Sequence, residues 1–380
     1  MSRRYFSNLD FVRFFAALWV VGHHYLFVAH YREGIFTVAP SHWEASLFRP
    51  GYLGVCIFFV LSGFLIAHVS QGARFLPFVA ARVFRLMPAF WTCLAVTTVI
   101  MVALGASNMQ QADPVTLVQG LANLFVLPQL FGFAFVDGVY WTLVYEFIFY
   151  GWAALFLAAG LLHRHLLGIV AVWLLVSVLN VSVFQSGLVE RLCITYYSGA
   201  FAAGLLLWHL RKHGLTAANA VLLFCSVYAL SFGVVEMASQ PYVPAAYAGL
   251  AARDAVWVSA ACVGVVLLAL LLPSAPALRS FGLTIGAISY PLYLVHQELG
   301  YISLRAWPWQ NQAAMAVLVI ATFMLGLAWI VHHFAERPLR SAMVRLFMPV
   351  VDRVQLIADK TWRFTPLRSH QATDSKVQRL

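Results

Sequence analysis

The chain has 380 residues, of which 62% are hydrophobic and only 10% charged, with a mean hydropathy of +0.82 and a net charge of +10. A soluble domain carries about 25% charged residues, so the composition excludes a soluble globular enzyme and implies an all-α integral membrane bundle whose surplus apolar surface faces lipid. The basic residues are dispersed without a binding module, which argues against nucleic acid as a partner, and five scattered cysteines with no CxxC pair give no disulfide framework or zinc site.

Apolar runs near 10–31, 52–70, 84–105, 139–161, 166–186, 194–211, 216–236, 254–273, 281–304 and 312–335 predict about ten transmembrane helices. The first has no small-residue cleavage site after it and reads as a retained span. The stretch 117–136 is short and interrupted by Pro128 and two glycines, which predicts a surface or re-entrant segment. With the N-terminus inside, 18 Lys and Arg fall on the inner side and five on the outer. The positive-inside rule then makes both termini cytoplasmic. Residues 1–338 form the predicted core and 339–380 a basic tail. Leu339, Met343, Leu346, Phe347 and Val350 suggest an interfacial helix there, and the polar stretch Ser369 to Leu380 reads as disordered. No internal repeat is visible.

The first span carries Arg13 and His24. Eleven residues turn a helix through about 1100°, so the two share a face about 16 Å apart. Ionisable groups inside a span are costly and usually face a cavity or pathway. A neutral imidazole suits a general base acting on a hydroxyl. The plainer alternative for His24 is a histidine bonded to a neighbouring helix. His23 points about 100° away, and His30 lies near the outer end.

In the second span Gly54 suits helix packing, and Ser62 with Gly63 sits where a cavity wall would run. Arg82 and Arg85, three apart, face one way at the cytoplasmic boundary. Two roles fit them: snorkelling to lipid phosphates, or clamping a phosphorylated ligand. In the fourth span Tyr140 and Trp141 fit an outer aromatic belt. Glu146 lies deeper and reads as the one acidic residue firmly inside an apolar span. It requires protonation or a partner. Its depth resembles that of His24, so a Glu146–His24 contact is expected to be within reach. The ninth span places Tyr290, Pro291 and His296 in sequence, and the tenth ends at Glu336-Arg337-Pro338.

Taken together, the fragments form an ordered set. They are Leu9-Asp10 with Arg13 and His24; Gly54-Val55 to Ile66; Arg82-x-x-Arg85-x-x-Pro88; Trp141-Thr142-Leu143-x-x-Glu146-x-x-Phe149-Tyr150; Ser289-Tyr290-Pro291-Leu292-Tyr293-Leu294-x-His296; and Glu336-Arg337-Pro338. This set resembles the membrane-bound acyltransferase 3 family from Leu9 to Pro338. Two positions depart from it: His23, where the family is usually apolar, and Cys56, where it is usually polar.

The resemblance implies a ten-helix core that moves an acyl group, most often acetyl, from cytoplasmic acyl-CoA to a hydroxyl. Acceptors in the family are commonly surface polysaccharides or glycolipids. His24 would be the base or a transient acyl carrier, and Arg13 would hold the donor or stabilise negative charge. Glu146 would orient His24 or bind the acceptor. Arg82, Arg85 and Ser62 would serve the donor, and Trp141, Tyr290 and His296 the acceptor. No metal and no bound cofactor are implied; acetyl-CoA is a co-substrate. The expected setting is a bacterial inner membrane, and the length suggests the stand-alone type without a fused extracytoplasmic domain. A rival reading is a glycan or lipid transporter that uses the same Arg, His and Glu groups as a proton relay.

Overall fold

A backbone in hydrocarbon must satisfy its own hydrogen bonds, so long apolar runs become helices. The computed structural model describes residues 6–239, 252–273, 276–309 and 311–363. Helix α1 (Ser7–Gly22) runs through a π turn (His23–Val28) into the short α2 (Ala29–Tyr31). Then come α3 (His42–Phe48), α4 (Leu53–Val69) and α5 (Phe75–Leu104). A two-stranded hairpin pairs Ser107–Asn108 with Gln111–Pro114 ahead of α6 (Leu117–Asn123). The chain continues through α7 (Trp141–Ala158), α8 (Leu166–Leu179), α9 (Gly187–Cys193), α10 (Ser198–His213) and α11 (Ala217–Ala238). It closes with α12 (Ala252–Leu271), α13 (Arg279–Arg305), α14 (Ala313–Val331) and α15 (Arg337–Arg363).

Every predicted span is helical, and the protein is an all-α membrane bundle. Among the described residues, eight segments are long and apolar enough to cross a membrane. Helices α10 and α13 fall outside that group. The first has only 16 residues, and the second carries Ser289, His296, Gln297 and Glu298 in its buried surface. Both are inner helices whose neighbours are protein. Helix α10 packs on α4 and α11, and α13 on α1, α5 and α14.

Small residues set the closest crossing. Gly63 of α4 and Gly204 of α10 lie against each other's helix. A Cβ on Gly63 would run into the Phe201 carbonyl, and one on Gly204 into that of Val60. Backbones approach this closely only without side chains between them. The crossing lets Phe201 stack on Phe59 and Phe149, at centroid distances of 4.6 and 4.4 Å.

The segment 117–136 contains no crossing helix. It folds as α6 and a 3-10 turn (Pro128–Phe131). Buried asparagines hold its return. Asn123 donates to the Ala134 carbonyl at 3.1 Å and accepts from Val136 N at 3.1 Å, while Asn108 donates to the Phe135 carbonyl at 2.8 Å. This delivers Asp137 to the start of α7.

Among the described residues there are three π segments: His23–Val28, Asn180–Phe184 and His332–Glu336. Such wide turns shift the register of the side chains that follow, and they are frequent at functional sites. The third joins α14 to α15, a helix much longer than the stretch 339–350 expected from sequence. Arg74 meets Asp352 at 2.9 Å, and Leu76 N donates to Gln355 Oε1 at 2.8 Å, which fixes α15 along the start of α5. The stretch Ser369 to Leu380 lies outside the described residues.

Candidate active site

The π turn at His23–Val28 presents His24 to α13. His24 Nδ1 lies 2.8 Å from His296 Nε2, with the rings nearly parallel at 12°. His296 Nδ1 lies 2.8 Å from the Tyr293 carbonyl oxygen. A carbonyl only accepts, so His296 Nδ1 carries a proton. In the neutral pair His296 Nε2 then accepts, and His24 Nδ1 donates to it. His24 Nε2 is left with its lone pair. Tyr25 secures the same turn of α13 by donating to the His296 carbonyl at 2.6 Å. His23 lies 3.2 Å from the Phe48 carbonyl and takes no part in the His24–His296 pair, although it lines the same cavity as His24.

His24 lines a cavity of about 340 Å³ in the half of the bundle away from the N-terminus. Tyr52, Trp141, Tyr145 and Tyr197 supply aromatic faces there, with Arg32 and Gln297 as polar groups. Tyr197 is braced by Trp141 and Tyr145, at 5.4 and 5.2 Å between centroids.

A second cavity, of about 110 Å³, lies in the N-terminal half. Arg13, Arg82 and Arg85 line it together with Ser62, Glu146 and Tyr290. Ser62 Oγ donates to Glu146 Oε1 at 2.8 Å, and the Tyr150 hydroxyl donates to the same oxygen. Arg13 pairs with Asp10 at 3.3 Å. Arg85 Nη1 meets the buried Glu336 at 2.8 Å and lies over the Tyr290 ring. His332 holds the other Glu336 oxygen at 2.8 Å across the third π turn. Val55 and Tyr293 line both cavities, so the two meet at these side chains. Thr142 Oγ1 donates to the Tyr293 hydroxyl at 3.2 Å and fixes its position.

The structure brings Arg13, Ser62, Arg82, Arg85 and Glu146 together in the near cavity, and His24 and Trp141 in the far one. The expected Glu146–His24 contact does not form. Glu146 is satisfied by Ser62 and Tyr150, and His24 by His296. His296 is fully buried behind His24, and Tyr290 sits on the arginine side, its hydroxyl donating to the Leu86 carbonyl at 3.3 Å.

Glu146 is also not alone as an acid in a span, because Glu298 of α13 is buried. The Glu298 backbone N donates to Asp137 Oδ2 at 3.2 Å, and Asp137 Oδ1 accepts from Val139 N at 3.1 Å. Burial at the mouth of α7 pushes the Asp137 carboxyl up to about 7. Glu298 could have been found two residues beyond His296. Asp137 gave no signal, since it precedes the predicted span. Among the described residues, no group of three or more His, Cys, Asp or Glu could hold a metal ion.

Comparison with known proteins fits this geometry. A family model described as an acyltransferase domain matches residues 6–333, which include both cavities and the His24–His296 pair. Searches of curated proteins and of solved structures find no match. The match covers nearly the whole chain, and the chain therefore belongs to the acyltransferase 3 family.

Proposed function

We propose that this membrane acyltransferase is an O-acetyltransferase that moves an acetyl group from cytoplasmic acetyl-CoA to a hydroxyl of a surface polysaccharide or glycolipid. One observation carries the reading: a cavity lined by three arginines and a cavity lined by a histidine and aromatic rings meet at Val55 and Tyr293. Guanidinium groups suit the phosphates of coenzyme A. Flat aromatic faces suit the C–H faces of a sugar ring, and the polar groups between them suit its hydroxyls. The excess of basic residues on the arginine side supports its being cytoplasmic, with both termini inside; a bacterial inner membrane is the setting this reading takes from the family resemblance.

In this mechanism His24 Nε2 takes the proton of the acceptor hydroxyl as its oxygen attacks the thioester carbonyl. The carbonyl π electrons move onto its oxygen. Arg13, about 16 Å from His24 at the arginine end of the same helix, lies too far to reach that charge and is suited instead to hold the donor's phosphates. The C–O bond then persists, the C–S bond breaks, and the coenzyme A sulfur leaves with the proton returned by the imidazolium. His296 holds His24 in the tautomer that leaves Nε2 free, as a carboxylate does in a hydrolase triad. Glu146, held by Ser62 and Tyr150, shapes the donor side.

The test uses purified protein in vesicles with acetyl-CoA labelled in the acetyl group. Label should pass to an added glycan or glycolipid acceptor. Vesicles that translocate the glycan without labelling it would support transport instead.

A further inference from the structure

Helices α7 and α8 are consecutive, yet their backbones stay apart, bridged where Phe149 stacks on Trp173 at 6.0 Å between centroids. Helix α7 rests on α4 and α5, and α8 on α10 and α11. Between them runs a slot of about 530 Å³. One face of each helix forms a wall: Trp152 and Phe156 on α7, and Gly168, Val172 and Val176 on α8. The far end is closed by α9. Trp152 and Trp173, one from each wall, donate their indole N–H groups to the carbonyls of Leu192 and Cys193. The near end reaches the α7–α8 loop, where Arg164 and His165 are exposed.

We propose that this slot holds one acyl chain of an anionic phospholipid from the leaflet on the N-terminal side, with its phosphate beside Arg164 and His165. The lining is almost wholly apolar, so water would find no hydrogen-bond partners there. The slot lies at the depth of the spans, where lipid tails are the available apolar filler. From Gly168 to Val176 a helix rises about 12 Å, close to the roughly 15 Å of hydrocarbon in one leaflet. A chain entering from the near surface therefore ends where α9 closes the slot. The Arg164 guanidinium at the open end matches an anionic headgroup, and the exposed His165 ring beside it offers a hydrogen bond. Helix α7 also carries Glu146 and Tyr150 on an adjacent face, so the lipid supports the wall of the near cavity. The orientation proposed above names the leaflet as cytoplasmic, but lipid binding does not depend on acyl transfer.

The test reconstitutes the full chain in phosphatidylglycerol vesicles containing a phosphatidylglycerol with a photoactivatable group on one acyl chain. A Cβ at Gly168 meets nothing within 4 Å, so Gly168→Phe can fill the slot without a clash. Labelled peptides should concentrate in 149–176, and Gly168→Phe should lower that labelling by about tenfold while leaving α12 labelling unchanged. Val172→Trp serves as a second filler if the first variant does not fold. Labelling spread evenly over α8 and α12, or unchanged in a folded filler variant, overturns the proposal. Phosphatidylcholine labelling the slot as strongly as phosphatidylglycerol overturns the headgroup assignment.

Discussion

His24 and His296 are 272 positions apart in the chain, yet their ring nitrogens lie 2.8 Å apart, and the Tyr293 carbonyl behind them fixes which nitrogen carries each proton. The relationship turns a lone membrane histidine into an oriented base. His296→Ala should lower kcat by about 10²-fold or more with little change in acceptor KM, because the base remains but its tautomer is no longer held. Residues that act as a unit are non-additive, so His24→Ala/His296→Ala should be little slower than His24→Ala. Steady-state labelling rates for the three variants check this. A double variant slower by the product of the single losses would separate the two histidines.

Arg85 and Glu336 should couple in stability as well as in donor binding. Removing one partner of a fully buried pair typically costs about 3–5 kcal/mol; the cost here is smaller, because Arg85 is partly exposed and His332 still holds Glu336. Arg85→Ala should therefore lower the thermal midpoint and raise KM for acetyl-CoA. Adding Glu336→Gln should restore the midpoint but not KM. Arg82→Ala should raise KM by itself. Unchanged donor KM in both arginine variants would leave them as anchors for lipid phosphates.

Tyr293 stands where the two cavities meet, held by Thr142. Tyr293→Ala should widen this junction and raise the rate with butyryl-CoA relative to acetyl-CoA. The ratio of kcat/KM values for the two donors reads the effect. An unchanged ratio places the acyl group elsewhere.

Asp137 should give the fold a pH dependence. Its folded pKa lies above the ordinary carboxyl value, because burial disfavours the charged form. The folded state thus binds this proton more tightly than the unfolded state. The stabilisation is complete below about 4 and is lost as pH rises through about 7. The thermal midpoint should fall across that window, and Asp137→Asn, neutral at every pH, should flatten this part of the curve near its acid-pH level. A variant with the parent's full slope would assign the titration to another group.

The spans and the placing of Arg82 and Arg85 on one cavity were legible in the sequence because each depends on local helical periodicity. The partner of His24 was not. It comes from another helix, and a π turn resets the register at His23, which a uniform helical repeat does not anticipate. The same limit hid the Arg85–Glu336 pair, whose acid sits in the last π turn. Depth along a span suggested Glu146 for His24. The depth itself differs: Glu146 faces the arginine cavity of the N-terminal half, held by Ser62 and Tyr150, while His24 lines the other cavity.

The most direct measurement of the central claim is acetyl transfer by the purified full chain in vesicles, with labelled acetyl-CoA on the arginine side and a glycan acceptor on the histidine side. The parent should label the acceptor, and His24→Ala, inserted at normal abundance, should lose about 10² to 10⁴ in rate, whereas His23→Ala, which leaves the His24–His296 pair in place, should lose far less. A well-folded His24→Ala protein that labels the acceptor at the parent's rate would contradict the account.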